Sequence, residues 1–121
     1  MADILIVAQE EILCDLLELT LTQLGHSVEI TDSGHEAFNR IRNAMFDALI
    51  IDNSMSDMTM LDFLKTPRGG GSTRAKVMAL SDEWTPEMIV DCRKAGASDL
   101  LSKPFNLPDL LIRIEKLFET R

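Results

Sequence analysis

Five short apolar runs recur along this chain at wide intervals, and their spacing constrains the fold more than any other feature. They are Ile4-Leu5-Ile6-Val7, Val28-Glu29-Ile30, Ala48-Leu49-Ile50-Ile51, Val77-Met78-Ala79-Leu80 and Leu100-Leu101. The first, third and fourth are unbroken rather than alternating, as strands covered on both faces of a parallel sheet must be. Between them lie helical patterns. Leu13, Leu17, Leu21 and Leu24 share one face that stops at Gly25, and Ala37, Phe38, Ile41 and Met45 share another behind a capping-box pair, Ser33 and Glu36. A short third helix is expected from about Thr59 to Thr66 with Leu61 and Leu64 inward, ended by Pro67 and the loop Gly69-Gly70-Gly71-Ser72. Thr85-Pro86 reads as the cap and first turn of a fourth, with Met88, Ile89, Cys92 and Ala95 on one side. Leu107, Leu111, Ile114 and Phe118 line the last helix, which is expected to run to Arg121. Alternation of strand and helix over the whole length predicts a single α/β domain, residues 1–121, built as a (βα)5 doubly wound parallel five-stranded sheet.

Composition removes several functions. At 121 residues and 45% hydrophobic content the chain can bury a core without disulfides or a structural metal, so Cys14 and Cys92, both in helical apolar patterns, read as buried thiols. A formal charge of −8 repels phosphate backbones and anionic headgroups, which argues against direct nucleic-acid binding. No apolar run is long enough for a membrane span, and Met1-Ala2-Asp3 leads straight into a strand, so a cytoplasmic protein is expected. The glycine run lacks the lysine and following helix of a phosphate-binding P-loop.

The chemistry is concentrated at strand ends. In an open parallel sheet, ligands bind beyond the carboxyl ends of the strands, so Ala8, Gln9, Glu10, Asp52, Ser81 and Lys103 should converge. Asp52 closes an apolar run as a lone carboxylate. Such a group can take a phosphoryl group if a cation and hydrogen-bond donors neutralise the incoming charge, roles open to Lys103 and Ser81.

These residues, with Phe46-Asp47, Ala95-Gly96-Ala97-Ser98-Asp99 and Lys103-Pro104-Phe105, make the chain resemble a response-regulator receiver domain of two-component signalling over nearly its whole length. The resemblance implies the flavodoxin-like strand order 2-1-3-4-5. It also implies Asp52 as phosphoacceptor with Ser81 and Lys103 beside it, a non-enzymatic regulatory role, and Mg2+ held through Asp52 and the backbone carbonyl of Ser54. A histidine kinase or phosphotransfer protein would be the phosphoryl source. A downstream target would dock on the face made by helix four, strand five and helix five.

The departures are specific. Where the family carries an acidic pair after strand one, this chain has Ala8 and Gln9, leaving an amide oxygen as the substitute and weakening any Mg2+ site. Glu10 and Glu11 follow but suit the start of the first helix, where carboxylates favour the dipole. Ser56 replaces a usual proline, Thr59-Met60 replaces a usual aspartate-glycine turn, and Leu100 stands where an aromatic switch is usual. Asp82 and Trp84 lie in the loop after Ser81, as possible additions to the site or as plain loop residues.

Two readings remain open. One is a degenerate receiver that binds partners independently of phosphorylation, its site held by an Asp52–Lys103 ion pair. The other is a working phosphoacceptor with weak Mg2+ dependence. A flavodoxin-like cofactor protein is disfavoured, since Ala8-Gln9-Glu10-Glu11 is acidic where a phosphate loop would be needed. No output module follows helix five in this sequence, which is expected either of a protein acting by docking or of a receiver excised from a longer chain.

Overall fold

The structure, a computed structural model, describes residues 1–67 and 75–119. Ten elements alternate: β1 (Asp3–Val7), α1 (Glu11–Gln23), β2 (Ser27–Thr31), α2 (Gly34–Asn43), β3 (Ala48–Asp52), α3 (Met60–Lys65), β4 (Lys76–Ser81), α4 (Pro86–Lys94), β5 (Asp99–Ser102) and α5 (Leu107–Glu119). The five strands form one parallel sheet in the order β2-β1-β3-β4-β5. The Gly69–Ser72 loop and the end of α5 at Arg121 lie outside the described residues.

The unbroken apolar strands divide their side chains between two cores. Ile4, Ile6, Ile50, Met78 and Leu80 face α1 and α5. Leu5, Val7, Leu49, Ile51, Val77 and Ala79 face α2, α3 and α4. On that second side Phe38 and Phe63 stack with ring centroids 4.6 Å apart. Leu17 and Leu21 of α1 are fully buried, and each such side chain contributes about 1.5–3 kcal/mol relative to exposure. Cys14 and Cys92 are free, buried thiols, and burial pushes both pKa values up.

Helix starts follow their capping residues. Ser33 Oγ accepts from Glu36 N at 3.1 Å, Thr59 Oγ1 from Asp62 N at 3.1 Å, and Thr85 Oγ1 from Met88 N at 3.1 Å. The expected box at α2 is half made, because the Glu36 carboxylate accepts from Arg40 instead.

Four inward faces differ from the periodicity. In α5 the buried residues are Leu110, Ile114 and Leu117, while Leu107 is exposed and Leu111 and Phe118 are part-buried. This helix is apolar around more than one stripe, and packing selects among stripes that spacing alone leaves equivalent. Leu24 lies past the end of α1 and is exposed. Met45 is exposed because Ala44 turns the backbone extended and ends α2, and Phe46 takes the buried place instead. Ile89 of α4 is also exposed.

Candidate functional site

Asp52 is the last residue of β3 and is completely buried, as is Ser81 at the end of β4. Neighbouring register brings them together: Asp52 pairs with Leu80, Asn53 N donates to Leu80 O, and Lys103 N donates to Ser81 O at 2.9 Å just beyond β5. The Lys103–Pro104 peptide is cis. Asp52, Ser81 and Lys103, far apart in sequence, therefore meet at one end of the sheet as strand-end geometry requires.

Lys103 Nζ sits 2.8 Å from Asp52 Oδ1 and 2.8 Å from Glu10 Oε1, with only 13% of its side chain exposed. The two contacts are unlike. Glu10 receives an aligned hydrogen bond, whereas Asp52 Oδ1 has a close charge contact without hydrogen-bond alignment. Burial draws the Lys103 pKa down, but hydrogen bonding and attraction from Asp52 and Glu10 outweigh it and leave the ammonium pKa above its ordinary value.

The rest of the cleft is braced by its own loops. Ser54 N donates to Asp52 Oδ2 at 3.2 Å, and Ser54 Oγ accepts from Gln9 N at 2.9 Å, so Ser54 joins the β1–α1 and β3–α3 loops. Ser81 Oγ accepts from Glu83 N at 3.0 Å, leaving its O–H to donate. Asp82 Oδ1 accepts from Asn53 Nδ2 at 3.0 Å, and that bond is the main reason its pKa lies below the ordinary carboxylate value. Trp84, like Leu100, packs against the second core, and it donates from Nε1 to Leu101 O at 3.0 Å.

Farther along the loop after Asp52, the Asp57 carboxylate accepts from Gly34 N at 2.9 Å and His35 N at 3.0 Å and lies 2.5 Å from His35 Nδ1. The two backbone N–H groups at the start of α2 hold its pKa down to about 2. Met58 packs over Gly34 so closely that a Cβ there would overlap its side chain.

The groups that would hold Mg2+ are the Asp52 carboxylate and two neutral oxygens, the Ser54 carbonyl and the Gln9 amide. A hard dication prefers several oxygen ligands including one or two carboxylates. Here Ala8 is a buried apolar residue, the Gln9 side chain has no hydrogen-bond partner among the described residues, and the nearby Glu10 carboxylate is engaged by Lys103. Among the described residues no three His, Cys, Asp or Glu side chains gather as metal ligands.

Sequence reasoning brought Asp52, Ser81, Lys103, Ser54 and Gln9 to the right end of the sheet. It placed Glu10 at a solvated helix start, and Glu10 is the exposed N-cap of α1, but its side chain makes no cap and turns to Lys103, a contact sequence reasoning missed. Asp57 was missed, although an acid shortly after a strand end and facing a Ser-Gly helix start is the signal that points to it.

The family description "Response regulator receiver domain" matches residues 4–115. The transcriptional regulatory protein ZraR of Escherichia coli is 29% identical over 114 residues, which cover 94% of this chain but about a quarter (26%) of that protein. The chemotaxis response regulator CheY4 of Vibrio cholerae is 30% identical with a TM-score of 0.87, the alignment covering 97% of this chain and 98% of that one. The receiver domain of a Pseudomonas aeruginosa sensor histidine kinase, solved with magnesium in its active-site cleft, has a TM-score of 0.85 over 98% of each chain. At 22% identity that likeness is one of fold.

Proposed function

This chain belongs to the response-regulator receiver family of two-component signalling, and from that premise we propose that it is a degenerate member, a protein-binding module whose state is set without phosphorylation. The observation that carries this reading is the Lys103 ammonium held between the Asp52 and Glu10 carboxylates. A phosphoryl group shifts a conformational equilibrium only by interacting differently with its two states. Here the cation it would recruit is already bound, the aromatic that would swing is Leu100, and Trp84 pins the β4–α4 loop to β5.

In this reading Asp52, Ser81 and Lys103 form the remnant of a phosphoacceptor site. Asp52, the Ser54 carbonyl and Gln9 are at most a vestigial Mg2+ site. The module is a single cytoplasmic domain without enzymatic activity, and it contacts a histidine kinase or phosphotransfer protein, a downstream target, or both, but neither nucleic acid nor membrane. The face formed by α4, β5 and α5 is the proposed target surface. Among the described residues no helix is long and apolar enough to cross a membrane.

The test is titration with Mg2+, with and without a phosphate mimic, followed by fluorescence of Trp84, the only tryptophan. No saturation at low millimolar Mg2+ is expected. A submillimolar dissociation constant would overturn the reading.

The second reading, a phosphoacceptor at Asp52, is favoured by one feature. Asp52 Oδ1 is buried without an aligned hydrogen bond, and the Ser81 hydroxyl stands at the neighbouring strand end. A small phosphodonor should then add one phosphoryl mass to the wild type and none to Asp52→Asn.

A further inference from the structure

Of the two carboxylates that hold the Lys103 ammonium, the exposed one and not the buried one receives its aligned hydrogen bond. Both contacts are 2.8 Å, yet only Glu10 receives an aligned hydrogen bond, and Asp52 Oδ1 is the single buried side-chain nitrogen or oxygen among the described residues that lacks a hydrogen-bond partner. Glu10 has an alternative it does not take. As N-cap of α1 it stands beside open backbone N–H groups, but its side chain makes no capping bond and crosses to the end of β5.

From this geometry we infer that Glu10 is an intramolecular rival that withholds Lys103 from any tetrahedral oxyanion at Asp52. The inference rests on the reading of this strand-end cluster as a phosphoryl site. The oxyanion is a phosphoryl group on the Asp52 carboxylate or free phosphate beside it. Either must share the three-donor ammonium with Glu10 or draw it off, and either is repelled by Glu10 while the carboxylate remains in place. With 56% of its side chain exposed, Glu10 has room to swing into water, so the contact is an autoinhibitory one that can be released. Asp82, the other acid near the cleft, is hydrogen-bonded by Asn53 and feels the Lys103 charge without making an ion pair with it among the described residues. Glu11 is next in the chain and exposed, and it makes no ion pair with Lys103 among the described residues, so it carries the same charge without the contact.

That pair of glutamates supplies the experiment. Inorganic phosphate is titrated into wild type, Glu10→Gln and Glu11→Gln, with the Lys103 Nζ resonance followed by NMR and folding checked by urea unfolding. In Glu10→Gln the Lys103 Nζ resonance should shift, because its aligned hydrogen-bond partner is gone, and phosphate affinity should rise about tenfold; Glu11→Gln should gain less than about twofold. Equal gains in the two variants would reduce the effect to net charge and overturn the inference. An Nζ resonance indifferent to Glu10→Gln would overturn it whatever the site binds. A shifted Nζ with no phosphate binding by any form would instead defeat the phosphoryl-site reading, and the rivalry with it.

Discussion

Removing either partner of the Asp52–Lys103 contact should have unequal consequences. Lys103→Met leaves a fully buried carboxylate without its counter-charge, which should cost about 3 kcal/mol in urea unfolding. Asp52→Asn leaves the ammonium hydrogen-bonded to Glu10, so its cost should stay below about 1 kcal/mol. The pH dependence has a definite sign. The Lys103 pKa is raised above the ordinary 10.5, so the stability it contributes is whole below that value and is lost as pH rises through the higher one. The alkaline limb of the wild-type stability curve should therefore be steeper than that of Lys103→Met. Asp52, Ser81 and Lys103 were legible in the sequence because each follows an apolar run, and a strand end fixes where the next side chain can be. The partner of Glu10 was not legible. It depends on which way one N-cap side chain turns, and spacing does not encode that.

Among the elements, α2 and the loop after β3 act as one unit through Asp57. Its carboxyl pKa is lowered from 3.8 to about 2, so its contribution is complete above pH 3.8 and is lost as pH falls through about 2. Asp57→Ala should cost about 1 kcal/mol at neutral pH, as loss of a helix-capping acceptor does, and the difference from wild type should vanish in melts at the acid end of that window. Gly34→Ala brings a methyl against the flexible end of the part-buried Met58, which can move aside, so it should cost less than about 1 kcal/mol in urea unfolding. Helix and strand existence could be read from the sequence throughout, because the two periodicities differ. The inward face of α5 could not, since Leu110, Leu111, Ile114, Leu117 and Phe118 satisfy more than one helical stripe and only the packing against the sheet decides between them.

At the scale of the whole molecule, the proposed target face presents Ile89 and Val90 on α4 and Ile112 on α5, all exposed. These are better probes than Leu100, which is part-buried and packed into the second core. A partner recovered by pull-down should bind wild type and Asp52→Asn equally and lose affinity for Val90→Asp combined with Ile112→Asp. A tenfold, phosphodonor-dependent gain confined to wild type would show a working switch. The ammonium bridge has one more consequence. Glu10 and Lys103 are 93 residues apart, at opposite ends of the described chain, and the strands that carry them are separated in the sheet by β3 and β4. Their contact closes a loop of nearly the entire polypeptide and needs all the central strands in place, so it should form after the folding barrier rather than before it. Lys103→Met should then accelerate unfolding while leaving the refolding rate almost unchanged, making this ion pair a timer of how long the native state lasts.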